Sequence, residues 1–347
     1  MEFYKEIYID GRLISEKGKT FIIAEAGVNH GGDVELAKKL VDIAAEAQVD
    51  AVKFQAFRTD KLILNTVKKA DYQIQNTKNE DSQASMLRKL ELNLDAYIEL
   101  KSYCESKGIL FLITPFDEES LKELESIDIP AYKIASTDTT NLLFLKKIAQ
   151  TNKPVFLSTG MCDIEEVDKA VKIFKEINLK LILLQCTANY PISDNEADLL
   201  VLNQYKERYG CLLGYSDHSV GLGAAIYSLP LGAKVVEKHF TIDKSANGPD
   251  HSASLSPSEL KSFVKEIRRC EQFLSNSMKR ITPGEISNKK SLQKSLVASK
   301  EIIQGEVFST TNIVAKRAGG NGVSAIHGLD YIGKIAKKNY LTDELID

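Results

Sequence analysis

Two of the chain's five histidines, His218 and His239, stand 21 residues apart, each just after a short apolar run that looks like a strand. A lone histidine is more often structural than a ligand. Two at the ends of successive strands, with Glu25 and Glu237 as further oxygen donors, suit a divalent ion. Two imidazoles and open positions fit Mn²⁺ or Mg²⁺ better than a closed zinc site. Lys53 and Gln55 form a second set. They are two residues apart inside "AVKFQAF", so a strand turns both to one face and Val52 and Phe54 to the other. Lys133 repeats this setting in "AYKIAS". A lysine inside a protein is costly without an anion, so two inward lysines among hydroxyls point to a phosphate, a carboxylate or both. A Schiff base needs only one lysine. Snorkelling to the surface would account for either one alone.

Such residues must be delivered by a scaffold. Between Phe21 and about Ser275, short β-rich runs alternate with stretches of helical period. Strands are expected at 21–25, 51–55, 109–114, 131–135, 154–158, 180–186, 211–216 and 233–238. Helices are expected at 33–47, 81–107, 118–126, 141–150, 164–177, 196–208, 220–229 and 256–274. Eight such units in about 250 residues match a (β/α)8 TIM barrel. A doubly wound open sheet is the alternative, but no glycine-rich dinucleotide fingerprint is present. The strands end on Glu25; Lys53 and Gln55; Thr114; Lys133 and Ser136; Ser158 and Thr159; Gln185 and Thr187; Ser216, Asp217 and His218; Glu237 and His239. In a barrel these groups converge on the C-terminal mouth, walled by the long connections 56–80 and 240–254. "EIYIDGRLIS", with its Asp10-Gly11 turn, reads as a hairpin closing the barrel's other end. The barrel domain is expected over 1–275, a polar linker over 276–290 and a small, mainly β domain over 291–347.

Composition limits the partners. The chain has 347 residues, 43% hydrophobic and 27% charged, with a net charge of −3, which argues against nucleic-acid or membrane binding. No run reaches the length of a membrane span and the N-terminus has no signal-peptide core. The five cysteines show no CxxC pair, so neither a zinc knuckle nor a disulfide framework is indicated, and the cytoplasm is the expected compartment.

The motifs "IIAEAGVNHGGD", "AVKFQAF", "LITPFD", "YKIAS", "VFLSTGM", "CTANYP", "GYSDHS", "VEKHFTIDK" and "GPDHSASL" resemble, in order and over nearly the whole chain, the sialic acid synthase family. The tail "ASKEIIQGEVFSTTNIVAKRAGGNG" resembles that family's antifreeze-like (SAF) domain. The resemblance implies an enzyme that condenses phosphoenolpyruvate with an N-acetylmannosamine-type sugar and releases phosphate. N-acetylneuraminate synthase is the first reading. An N,N'-diacetyllegionaminate synthase acting on 2,4-diacetamido-2,4,6-trideoxymannose is the alternative, and "GPDH" argues against a pseudaminic acid synthase. By the same resemblance, His218 and His239 hold the metal. Lys53, Thr114, Lys133, Ser136, Ser158 and Ser216 bind phosphoenolpyruvate. Glu25, Gln55, Tyr190 and Asp250 contact the sugar, and Glu25 is the candidate for proton transfer. Family members are domain-swapped homodimers in which an arginine, matched by Arg317, enters the partner's site. Three positions depart from the family pattern: Asp138, at the substrate, for glutamate; Gln185 for histidine; and Ala318 for proline. Two other readings stand beside the synthase. One is a sugar-binding protein without catalysis. The other is an enzyme on a phosphorylated aldose, whose second phosphate would find only Arg58 near the mouth.

Overall fold

The computed structural model describes residues 2–77, 81–275 and 278–347. They divide into two compact units, residues 1–275 and 276–347. The first begins with a hairpin of β1 (Glu6–Ile9) and β2 (Arg12–Ser15). Asp10 and Gly11 at its tip have φ of 47° and 77°, the left-handed pair that a two-residue turn between twisted strands requires. Eight parallel strands follow: β3 (Phe21–Gly27), β4 (Ala51–Ala56), β5 (Leu110–Pro115), β6 (Tyr132–Ile134), β7 (Val155–Ser158), β8 (Leu181–Cys186), β9 (Leu212–Asp217) and β10 (Ala233–His239). They close in sequence order, β10 pairing with both β9 and β3, into a (β/α)8 barrel.

Strand alternation makes two cores. Side chains at one parity, such as Ile22, Val52, Phe54, Tyr132 and Val236, face the helices. Those at the other, including Phe21, Ile23, Ala51, Leu110, Leu112, Phe156, Ile182, Leu212 and Val235, fill the barrel's interior. Ile7, Ile9 and Ile14 of the hairpin join that interior cluster and plug its N-terminal end.

Several helices differ from expectation for local reasons. The span 81–107 is two helices, Gln83–Arg88 and Leu94–Ser106, because the Asn93 side chain accepts from Ala96 N at 2.9 Å and caps a new start. The helix expected at 220–229 shortens to Gly223–Ser228, since Gly221 and Gly223 both have positive φ. The one expected at 196–208 begins only at Val201. The connection after β4 is not bare loop: it holds the helices Thr59–Leu62 and Asp71–Thr77.

In the second unit the expected linker contains a helix, Glu285–Leu292, while residues 276 and 277 lie outside the described residues. Beyond it, β11 (Lys294–Ala298) pairs antiparallel with β12 (Ile313–Arg317) over a small core that includes Leu296, Phe308, Ile313 and Tyr340. Among the described residues no helix is long and apolar enough to cross a membrane.

Candidate active site

One step beyond the apolar layer, the barrel's interior becomes ionisable. The inward positions nearest the strand C-termini are Glu25 on β3, Lys53 and Gln55 on β4, Thr114 on β5, Lys133 on β6, Ser158 on β7, Cys186 on β8, Ser216 on β9, and Glu237 and His239 on β10. Lys53 and Glu25 are register partners, as are Glu25 and His239. Gly27, with φ of 55°, lets the chain turn away just above this ring. A Cβ there would sit 3.3 Å from Gln55 Nε2 and Glu25 Oε1 and 3.4 Å from the His239 ring.

The cavity above the ring is about 590 Å³. Glu25, Lys53, Gln55, Thr114, Lys133, Ser136, Asp138, Ser158, Tyr190, Ser216, His218, His239 and Asp250 all line it. Arg317 belongs to the second unit, where it is exposed at the end of β12. Four strand-end residues expected at the mouth lie elsewhere. Gln185 and Asp217 occupy the outward parity, pairing in register with Tyr215 and Lys238. Thr159 donates to Leu184 O and accepts from Tyr205, and Thr187 donates to Glu196 O. Arg58 is held by Glu123 at 2.6 Å and does not line the cavity.

The lysines do not wait for an external anion, as burial alone had suggested. Lys53 Nζ lies 2.7 Å from Glu25 Oε2 and 3.7 Å from Glu237 Oε1, and donates to Thr114 Oγ1 at 3.0 Å. Lys133 Nζ lies 3.4 Å from Glu237 Oε1. Gln55 donates to Glu25 and Ser216 to Glu237. These contacts pull the two carboxylates apart in acidity. Burial raises the Glu25 pKa and the Glu237 charge adds to it, against the opposing pull of Lys53. Burial also raises Glu237, but Lys133 and Lys53 together bring it below the ordinary value. On Lys53 the two carboxylates outweigh burial and raise the pKa; on Lys133 burial wins and lowers it. The two carboxylates thus differ in direction, Glu25 raised and Glu237 lowered, although both face the same lysine. Burial lifts Asp250 from 3.8 to about 6, with the Glu25 charge assisting.

His218 and His239 face each other with ring centroids 5.5 Å apart. His218 Nδ1 lies 2.8 Å from Thr187 O, a contact in which that nitrogen is the donor. Burial lowers the pKa of this ring, but Cys186, the Thr187 carbonyl and Glu237 together raise it above the ordinary value. His239 Nδ1 is buried with no hydrogen-bond partner among the described residues. Burial, then the charge of His218 and of the nearby lysines, pushes the His239 pKa well below the ordinary value, towards the neutral form that binds a metal. The donor set thus fits a divalent ion held by two imidazoles. Among the described residues no three His, Cys, Asp or Glu side chains form a ready-made cage, so the remaining positions would fall to water and substrate oxygens.

Some lining residues were missed from sequence. Cys186, behind an outward Gln185, needed the register of β8 to be placed inside. The connection after β4 and the short helix Gln83–Arg88 that follows it supply a whole wall: Leu62, Ile63, Tyr72, Gln73, Met86, Leu87 and Leu90. Tyr72 packs on Tyr190 with centroids 5.1 Å apart, and Asn76 Nδ2 donates to Pro249 O at 2.6 Å, next to Asp250. Only the length of this segment signalled a wall.

Fold and site together define a (β/α)8 barrel whose C-terminal mouth holds a deep, ion-paired cavity of the kind enzymes use. The chain belongs to the NeuB family, whose signature matches residues 40–279. It is 45% identical over 331 residues, 94% of this chain and 99% of the other, to the N,N'-diacetyllegionaminic acid synthase of Campylobacter jejuni. It is 32% identical over 347 residues, 97% and 95% of the two chains, to the human N-acetylneuraminate-9-phosphate synthase. Among solved structures it resembles the N-acetylneuraminic acid synthetase of Leptospira borgpetersenii serovar Hardjo-bovis, crystallised with citrate. The TM-score is 0.74 at 33% identity, covering 84% of this chain and 98% of that one. The chain is accordingly a phosphoenolpyruvate-dependent synthase of sialic-type acids.

Proposed function

We propose that the sugar condensed with phosphoenolpyruvate is 2,4-diacetamido-2,4,6-trideoxymannose, which makes the product N,N'-diacetyllegionaminic acid. The observation that carries this choice is the apolar wall of Leu62, Ile63, Met86, Leu87 and Leu90 that faces the cavity above the ionic ring. A 6-deoxy sugar with a second acetamido group brings methyls where N-acetylmannosamine brings hydroxyls, and methyls gain from such a wall. The 45% identity to a legionaminic acid synthase supports the same reading. N-acetylmannosamine is the rival substrate.

In this reading Lys53, Lys133, Thr114, Ser136, Ser158 and Ser216 hold the carboxylate and phosphate of phosphoenolpyruvate in attack geometry. Ser158 Oγ, buried with no hydrogen-bond partner among the described residues, is free to donate. Gln55, Tyr190, Asp138 and Asp250 orient the open-chain sugar. The third carbon of phosphoenolpyruvate bonds to the aldehyde carbon, and the aldehyde oxygen takes up a proton. Water adds at the second carbon, and phosphate departs with cleavage of the carbon–oxygen bond. Glu25 moves the proton. A divalent ion, Mn²⁺ or Mg²⁺, held by His218 and His239 would supply Lewis-acid polarisation of the aldehyde oxygen. The second unit acts as an SAF domain, and a homodimer brings Arg317 of the partner subunit to the substrate.

Phosphate release with Mn²⁺, offered each sugar in turn and repeated after chelation, tests this. Metal-dependent release with strong preference for the diacetamido sugar is expected. Equal or better turnover of N-acetylmannosamine would make the chain an N-acetylneuraminate synthase. Release that survives chelation would remove the metal.

A further inference from the structure

Directly behind the two histidines lies a buried ion pair that the reaction does not use. Asp217 precedes His218, and Lys238 precedes His239. The two are register partners on β9 and β10, each about 1% exposed, and both point to the helix side while the adjacent imidazoles point to the cavity. Lys238 Nζ donates to Asp217 Oδ2 at 2.8 Å and to Ser219 O at 2.8 Å. It therefore grips the residues on both sides of His218. Asp217 accepts from Ser219 N at 2.8 Å, Ser219 Oγ at 2.6 Å and Ala225 N at 3.1 Å. Ser219 Oγ in turn accepts from Ala224 N at 3.1 Å. The turn that follows His218 is thus locked to the strand that carries His239.

Stability does not account for such a pair. A buried ion pair is on average no better for folding than apolar residues of the same volume. Its geometry, in contrast, suits one task. It joins the two strands one residue below each metal-facing ring, on the side where neither the ion nor substrate can disturb it. We infer that Asp217 and Lys238 are positioning residues that set the separation of His218 and His239 for a single divalent ion. This rests on the metal reading given above.

The test is Mn²⁺ binding to the whole chain, followed through the electron paramagnetic resonance signal of free Mn²⁺, with no turnover needed. The variant D217N/K238M keeps the volume and leaves no unpaired buried charge. Ser219→Ala removes one hydrogen bond to Asp217 and loosens the same turn while both charges stay, and covers the case in which the double variant does not fold. The Mn²⁺ Kd is expected to rise about tenfold to a hundredfold in the double variant and several-fold in Ser219→Ala, the range found for groups that orient metal ligands. Folded variants that bind Mn²⁺ within twofold of the wild type would overturn the inference alone. A wild-type site that survives His239→Ala, or no saturable site at all, would overturn the metal assignment and the inference with it.

Discussion

Glu25 and Asp250 are both carboxylates that burial pushes towards the neutral form, yet their surroundings separate them. Glu25 touches Lys53 and Gln55, so a change to Gln preserves the shape while removing the titratable carboxyl and its ion pair with Lys53. Phosphate release by Glu25→Gln is expected to fall about a hundredfold or more, the usual worth of a positioned acid or base. A rate within threefold of the wild type would remove Glu25 from proton transfer. Asp250 has no cation at bonding distance among the described residues, and its raised pKa is a cost to folding. The folded chain holds this proton more tightly than the unfolded chain does. Stability is therefore lost as pH rises from 3.8 to about 6, and the loss is complete above that. A shift from 3.8 to about 6 corresponds to roughly 3 kcal/mol. Asp250→Asn should melt higher than the wild type at pH 8 and equally at pH 4, while its KM for the sugar rises. Equal melting at both pH values would mean that Asp250 is not desolvated.

At the scale of elements, legibility in the sequence followed strand parity. The inward set Lys53 and Gln55 could be read because Val52 and Phe54 mark the opposite face within the same strand. Gln185 and Asp217 could not be placed, since at a strand's end a polar residue of either parity looks alike until its neighbours are known. There the register with Tyr215 and Lys238 decides. The eight strands were legible to within two residues because β-rich runs alternate with amphipathic helices. The break at Asn93 was not, because a capping side chain inside an otherwise helical pattern leaves the period intact. The connection after β4 was the least legible part. Its place over the mouth depends on contacts far apart in sequence, the Tyr72–Tyr190 stack and the bond from Asn76 to Pro249 O. That bond secures the backbone beside Asp250, so its loss belongs to the sugar alone. Asn76→Ala is expected to raise the KM for the sugar about threefold to tenfold, the worth of one hydrogen bond, with the KM for phosphoenolpyruvate unchanged. Equal effects on both substrates would show that the segment supports the whole mouth instead.

For the whole molecule, the division near Ser275 follows from composition: the rhythm of apolar strands and helices stops there and a polar stretch begins. The barrel gathers the ionic ring, the histidines and the apolar wall, whereas Arg317 lies in the other unit. If two chains exchange their second units, each site takes its barrel from one chain and its arginine from the other. Two inactive proteins can then make an active one. In a heterodimer of Arg317→Ala with His239→Ala, one site keeps an intact His239 and receives an intact arginine, and the other site has lost both. Each mixed dimer has one working site of two, so isolated mixed dimers are expected to show about half of wild-type turnover, and the unfractionated random mixture about a quarter. Dissociating and re-pairing the two variants, isolating the mixed dimers by two affinity tags and assaying phosphate release measures this. An arginine acting within its own chain leaves both sites of the mixed dimer dead. Isolated mixed dimers without activity would therefore overturn the exchange.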